Sequence, residues 1–212
     1  MSISDPRTEY GRGALSEDCA AHDPIEQFSR WLDEARAAGV REVNAMSLAT
    51  ASPQGRPSNR IVLLKEFDAS GFVFYSNYDS RKGRELQENA LACALFFWIE
   101  LERQVRIEGS VSRVAPQQSD QYFSQRPLEA RLGAWASPQS EPIGSRAELE
   151  ARMSQVRDRF AHQSDPPRPP YWGGYRIAPV QMEFWQGRAS RLHDRLLYVR
   201  QADQWQLSRL AP

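Results

Sequence analysis

Four short stretches of this sequence carry residue types that could hold an anion, and each is short enough to be placed on one predicted element. Ser80-Arg81-Lys82-Gly83 opens a helix predicted from Ser80 to Asn89 and puts two cations in its first turn. The helix macrodipole disfavours cations there by about 0.3–1 kcal/mol each. An anion that used the free N–H groups and both side chains would resolve that conflict, and a phosphate has the right chemistry; two solvated surface charges would read the same way. Arg60-Ile61-Val62-Leu63-Leu64-Lys65 is an apolar strand with a cation at each end. Strand side chains alternate, so Arg60 and Lys65 point to opposite faces unless a bend intervenes, and serve different sub-sites or one ligand that wraps the strand end. Arg191-Leu192-His193-Asp194-Arg195, read as a strand, puts Arg191, His193 and Arg195 on one face, where two cations would favour a neutral imidazole and attract an electron-rich anionic ring. Tyr122 and Arg126 are four apart and share a helix face. Gln104 and the Gln139-Ser140 pair are neutral groups suited to the polar edge of a heteroaromatic ring, and Trp185 is either core or the wall of such a site.

The elements that must position these residues follow from pattern and punctuation. Residues 1–22 are polar, without apolar period, and read as a flexible N-terminal arm containing Arg7-Thr8-Glu9-Tyr10. Asp23 as N-cap, Pro24 behind it and Ile25, Phe28, Trp31, Leu32 and Ala35 at helical spacing predict a helix that ends at Gly39. Strands are predicted at Ala45–Ala51, Ser58–Phe67, Phe72–Asn77, Leu91–Trp98, Arg103–Val114, Tyr175–Trp185 with a break at Pro179, Arg191–Arg200 and Gln204–Leu210. The all-apolar Leu91–Trp98 run suits a strand buried on both faces. Two more helices are expected at Gln117–Gln125 and Ser145–Phe160, and Asp165-Pro-Pro-Arg-Pro-Pro170 must be loop. Short turns between most strands, with helices at the periphery, favour a mainly β (α+β) antiparallel barrel as a single domain over residues 23–212.

Composition excludes several classes. The chain has 212 residues, and its 27 basic residues balance 27 acidic ones, which argues against a nucleic-acid partner. Only Lys65 and Lys82 are lysine; every other strong cation is arginine. The longest apolar run, Leu91 to Ile99, is too short to span a bilayer, and the N-terminus lacks a leader pattern, so a soluble, membrane-free protein is expected. Cys19 and Cys93 form no paired motif, consistent with a reduced, cytoplasmic setting. The common nucleotide-binding, hydrolase and zinc-protease signatures are missing, and His22, His162 and His193 are too dispersed for a metal centre.

Five blocks in this order resemble the pyridoxine (pyridoxamine) 5′-phosphate oxidase family. They are Arg60–Lys65, Phe74–Asn77 with Ser80-Arg81-Lys82, Leu101–Val105, Gly133–Ser137 with Gln139-Ser140, and Glu183–Gly187 with Arg191–Arg195. The likeness runs from about Asp23 to the C-terminus. It implies a split antiparallel β-barrel of the FMN-binding type, and a homodimer with two sites at the subunit interface. It also implies that FMN is held by Arg60 to Lys65, Tyr75, Ser76, Arg81, Lys82, Gln104, Gln139, Ser140, Trp185 and Arg195. Lys65, Tyr122 and Arg126 would take the substrate phosphate, Arg191 and His193 would lie over the pyridine ring as the catalytic pair, and Arg7 and Tyr10 of the arm would approach the substrate. Where the family commonly has a serine in the phosphate cluster, this chain has Ala130, which loses a hydroxyl bond of about 1 kcal/mol net; Arg131 next to it either compensates or does not.

The activity implied by the resemblance is oxidation of pyridoxine or pyridoxamine 5′-phosphate to pyridoxal 5′-phosphate, with O2 as acceptor and H2O2 released. The flavin supplies redox chemistry and the protein supplies orientation and charge. Relatives in phenazine biosynthesis share the FMN blocks without the full substrate-phosphate set, so Lys65, Tyr122 and Arg126 together favour the vitamin B6 reaction. The alternatives are a flavin oxidase on another aromatic substrate, such as a phenazine precursor, and a non-catalytic FMN or pyridoxal-phosphate binding protein.

Overall fold

Nine antiparallel strands, all joined in one hydrogen-bonded sheet, organise residues 9–212, which are those the computed structural model describes. The strands are β1 (Ala45–Ala51), β2 (Pro57–Leu63), β3 (Glu66–Asp68), β4 (Gly71–Asn77), β5 (Leu91–Trp98), β6 (Arg103–Arg113), β7 (Trp172–Gln186), β8 (Asp194–Gln201) and β9 (Gln204–Arg209). The main path runs β2-β1-β5-β6-β7-β4-β3, and β8 and β9 branch from β7. Five helices surround it: α1 (Pro24–Ala37), α2 (Arg81–Glu88), α3 (Pro116–Ser124), α4 (Leu128–Ala136) and α5 (Arg146–Arg159). Among the described residues no helix is long and apolar enough to cross a membrane.

Strand β7 decides the shape. On one edge it pairs with β6 along its length; on the other, Trp172–Ile177 pair with β4 while Gln181–Gln186 pair with β8. The changeover falls at Pro179, which has no N–H to donate, opposite a register shift between Glu108 and Gly109. A Cβ on Gly109 would lie 2.1 Å from the Ala178 carbonyl oxygen, so only glycine permits this approach. Pro179 therefore bends a continuous strand and splits the sheet; it does not end the strand, as the sequence suggested.

Helix α1 plugs the curled sheet. The Asp23 carboxylate accepts from the Ile25 N–H at 2.8 Å, and the chain leaves the helix through Gly39 at φ 72°. Its buried stripe of Phe28, Trp31, Leu32 and Ala35 points inward. Phe28 meets Phe67, Phe72 and Phe96 at 5.0–5.1 Å, in the edge-on arrangement aromatic rings prefer.

Four expectations are corrected. Ser58–Phe67 is two strands, β2 and β3, because the chain leaves the ladder at Leu64-Lys65. Arg191–Arg200 begins pairing only at Asp194, since Ser190 and Arg191 sit at positive φ in a 3-10 turn. Strand β5 is buried on one face only: Leu91 and Phe97 are 61% and 54% exposed. Helix α4 was not anticipated; no side chain caps it, and Gly133 within it weakens the helical signal.

Candidate functional site

The N-terminus of α2 gathers cations around a tightly seated first turn. Ser80 caps the helix by accepting from the Gly83 N–H at 3.3 Å, and a Cβ on Gly83 would stand 2.0 Å from the Tyr78 carbonyl oxygen. That close seating buries Lys82 to 7% exposure, an unusual place for a lysine. Its ammonium donates to Ser76 Oγ at 3.0 Å, Gln139 Oε1 at 3.1 Å and Ser80 Oγ at 3.4 Å. All three are neutral. Burial, with repulsion from Arg60 behind it, pushes the Lys82 pKa down to about 8.

The neighbouring charges show what is missing. Arg60 donates to Thr50 Oγ1 at 2.6 Å and lies 3.4 Å from Glu85, while Arg81 Nε donates to Glu85 at 2.9 Å. Burial opposes ionisation of Glu85, but hydrogen bonds from Ser58, Thr50 and Arg81 prevail and hold its pKa at about 2. Three cations, Arg60, Arg81 and Lys82, thus face one carboxylate and leave a surplus of two positive charges. A phosphate monoester carries about −1.5 to −2 near pH 7, and a buried lysine without a counter-ion is the feature such a group would satisfy. The cofactor phosphate implied by the resemblance fits these residues.

This corner opens into two adjoining cavities that share Ile61, Lys82 and Gln139. One, of about 490 Å³, is lined by Arg60, Arg81, Gln139 and Ser140 among others. The second, of about 550 Å³, continues past Val62, Leu63, Lys65, Tyr75 and Ser76 to Tyr122, Arg126 and Ala130. Arg60 lines the first cavity and Lys65 the second, the chain having left the strand ladder between them. At the far end Tyr122 stacks on Tyr75 at 3.9 Å, Tyr75 on Trp172 at 5.5 Å, and the Arg126 guanidinium lies 4.6 Å from the Trp172 ring centre. Arg126 Nη1 is buried with no hydrogen-bond partner among the described residues. Burial also lowers the Arg126 pKa and raises that of Tyr75, the latter helped by Glu66, which accepts the Tyr75 hydroxyl at 3.1 Å. Helix α3 stops at Ser124, so Arg126 reaches the cavity from the turn beyond it and not from the helix face it was expected to share with Tyr122.

Two residues weighed above line neither cavity. Leu64 is 4% exposed in the core, and its N–H and C=O are both bonded to Asn44, so it lines neither cavity. Arg131, beside Ala130, pairs with Asp165 on the side away from the cavities.

The remaining predicted residues assemble elsewhere. Gln104 pairs across the ladder with Trp185, and Trp185 with Arg195, so motifs from three strands form one row on one face of the sheet. The row continues to Phe97, opposite Gln104. Arg195 is committed to Glu183 at 2.8 Å and to the Ala211 carbonyl. Arg191, His193 and Arg195 therefore do not share a strand face; only Arg195 lies in β8. His193 stands 4.6 Å from Trp185, and its Nδ1 accepts from the Arg188 N–H at 3.1 Å, so Nε2 carries the proton in the neutral ring. Tyr10 packs edge-on against Trp185 at 5.7 Å; Arg7 lies outside the described residues. This second cluster belongs to the β8 end of β7 and the phosphate cavities to its β4 end, up to roughly 40 Å of strand apart before bending. None of its members lines either cavity.

Sequence reasoning passed over Glu85, whose position four residues after Arg81 signals a helical ion pair, and Trp172, whose stacking role has no local signature.

A curled, split antiparallel barrel with two adjoining cation-lined cavities has the architecture of the FMN-binding split-barrel proteins. Residues 32–160 match the family model described as pyridoxamine 5′-phosphate oxidase, and residues 172–212 match that of the pyridoxine 5′-phosphate oxidase C-terminal dimerisation region. The chain belongs to the pyridoxamine 5′-phosphate oxidase family. It is 56% identical to a pyridoxine/pyridoxamine 5′-phosphate oxidase of Burkholderia lata, over 100% of this chain and 99% of the relative. A protein of the same name from Rubrobacter xylanophilus is 57% identical over 97% and 94% of the two chains. Among solved structures, PhzG of Burkholderia lata, in complex with tetrahydrophenazine-1-carboxylic acid, has a TM-score of 0.87 and 35% identity, covering 94% of this chain and 98% of its own. A pyridoxamine 5′-phosphate oxidase-related, FMN binding protein of Nostoc punctiforme shares the fold at a TM-score of 0.69 and 21% identity, over 88% and 96% of the chains.

Proposed function

We propose that the protein is an FMN-dependent homodimeric oxidase that converts pyridoxine or pyridoxamine 5′-phosphate to pyridoxal 5′-phosphate. The observation that carries this reading is the pair of anion sites: a buried, uncompensated Lys82 at one and a buried, unpartnered Arg126 nitrogen at the other. Cofactor and substrate each carry a phosphate, and the two adjoining cavities offer cations to each. Arg60, Ser76, Arg81 and Lys82 hold the first; Lys65, Tyr122 and Arg126 hold the second.

When bound by Arg60, Ser76, Arg81 and Lys82, FMN would supply the redox chemistry, with the two electrons and two protons lost by the substrate ending on O2 as H2O2. Pyridoxine 5′-phosphate and O2 thus yield pyridoxal 5′-phosphate and H2O2; the amine substrate consumes one water as well and releases ammonia. The protein's part is placement, which governs rate strongly. Gln139 and Ser140 meet the cofactor near its phosphate end, while Gln104, Trp185 and Arg195 approach from a second subunit. Arg191 and His193 of that subunit align and polarise the substrate ring, with His193 Nε2 available to exchange a proton. The exposed apolar sheet face supports the dimer: Phe97 ends the Gln104 row, and Ile61, beside the cavities, is 66% exposed.

The likeness to PhzG supports a second reading, an oxidase acting on a phenazine precursor. Flavin content of the purified protein, with peroxide and pyridoxal 5′-phosphate formation from each substrate, tests both. Arg191→Ala should impair turnover while FMN stays bound, whereas Arg81→Ala with Lys82→Ala should lose FMN. A flavin-loaded protein inert toward both B6 phosphates would overturn the proposal, and equal flavin loss in both variants would overturn the division of roles.

A further inference from the structure

Residues 10–17 form a strap laid across the β8 end of the sheet, and one buried carboxylate fastens its first part. Glu102, 7% exposed, accepts the N–H groups of both Gly11 and Arg12 on one oxygen, at 2.8 and 2.9 Å. Its backbone is in the left-handed region at φ 56° and its carbonyl accepts the Gly187 N–H at 2.7 Å. The same residue thus ties the strap to the turn that leaves β7 and leads to Arg191 and His193. Tyr10 immediately precedes the clamped amides, with its ring 5.7 Å from Trp185 and 5.9 Å from His193. The seat is tight, because a Cβ on Gly187 would lie 2.8 Å from Tyr10 Cγ.

We propose that Glu102 is a positioning residue for substrate binding: its carboxylate holds Tyr10 over Trp185 and His193, so that Tyr10 forms one wall of the substrate site. The inference rests on the oxidase reading above. Adjacent N–H groups form a concavity that attracts an anion, and charge-assisted bonds to it are stronger than neutral ones. Glutamine keeps the oxygen and loses the charge; alanine loses both. A second fastening lies further along, where Asp194 accepts the Leu15 N–H at 3.0 Å and Arg209 grips the Leu15 carbonyl and Glu17. Removing the Glu102 carboxylate therefore frees Tyr10 without releasing the whole strap.

The test uses the flavin-loaded full-length protein. Glu102→Ala should raise KM for pyridoxine 5′-phosphate about tenfold and Glu102→Gln about threefold, with kcat within about twofold, the signature of lost uniform binding. Tyr10→Ala should match Glu102→Ala, and the double variant should be no worse than either, since both remove one wall. Gly187→Ala, which crowds Tyr10 and leaves Glu102 intact, should reproduce the KM effect. Trypsin should cut after Arg12 faster in Glu102→Ala at unchanged flavin content. Additive KM effects in the double variant, or unchanged cleavage at Arg12, would overturn the proposal. Wild-type protein that turned over neither substrate would instead remove the oxidase reading, and cleavage at Arg12 alone would then decide whether Glu102 holds the strap.

Discussion

Replacing Lys82 by methionine should stabilise the flavin-free protein near neutral pH while abolishing tight FMN binding. Burial and the nearby Arg60 lower the Lys82 pKa from 10.5 to about 8. A tenfold change in proton affinity is about 1.4 kcal/mol, so keeping this lysine charged at pH 7 costs the empty protein about 3 kcal/mol. Methionine avoids that cost but removes the ammonium's hydrogen bonds to Ser76 Oγ and Gln139 Oε1, at about 1 kcal/mol each, while Ser76 Oγ goes on donating to Gln139 Oε1. The net gain is about 1 kcal/mol. Between about pH 8 and 10.5 the unfolded chain binds the lysine proton and the folded chain does not, so wild-type stability rises with pH through that window. About 2 kcal/mol of the cost is gone by pH 9.5, and the order of the two proteins should reverse there. A bound phosphate restores the proton to Lys82, so FMN affinity of the wild type should fall as pH rises through about 8. Urea titrations of the flavin-stripped proteins at pH 7 and 9.5, with flavin-fluorescence titrations alongside, measure each term. Parallel stability profiles, or a methionine variant that binds FMN like wild type, would refute the reasoning.

Arg126→Ala should raise KM for the phosphorylated substrate by about 30-fold, the worth of a charge-assisted bond, with FMN retained; loss of flavin instead would place Arg126 at the cofactor. Ala130→Ser should lower the same KM about fivefold, because the new hydroxyl enters the cavity wall and Arg131 is held away by Asp165. Phe97→Glu puts a carboxylate on the exposed sheet face, and sedimentation should show monomers that retain flavin poorly; an intact dimer would point to another interface.

Much of the site was legible because its chemistry is local. The helix opened by Ser80, the two cations in its first turn and the strand from Arg60 need only neighbouring residues; the helix falls where spacing placed it, and the strand does so as far as Leu63. The reading of Arg191, His193 and Arg195 as one strand face failed because two residues at positive φ break the alternation, and nothing local in Ser190 or Arg191 announces that conformation. Strand β5 misled for a different reason. An all-apolar run reports that both faces avoid water somewhere, and the second face here is open in the single chain.

The sequence alone determined most of the elements, the cations gathered at the start of α2 and the family, since caps, turns and motif order are properties of short stretches. Only the tertiary structure decided that Lys82 is buried with no carboxylate partner among the described residues. Lys82 matters because Glu85 is spent on Arg60 and Arg81, and that balance depends on β1, β2 and α2 meeting at one corner. The structure likewise decided that the predicted residues form two separate clusters. A bend at Pro179 sends β4 and β8 to different ends of one strand, and pairing across a sheet is a long-range outcome that no local spacing encodes.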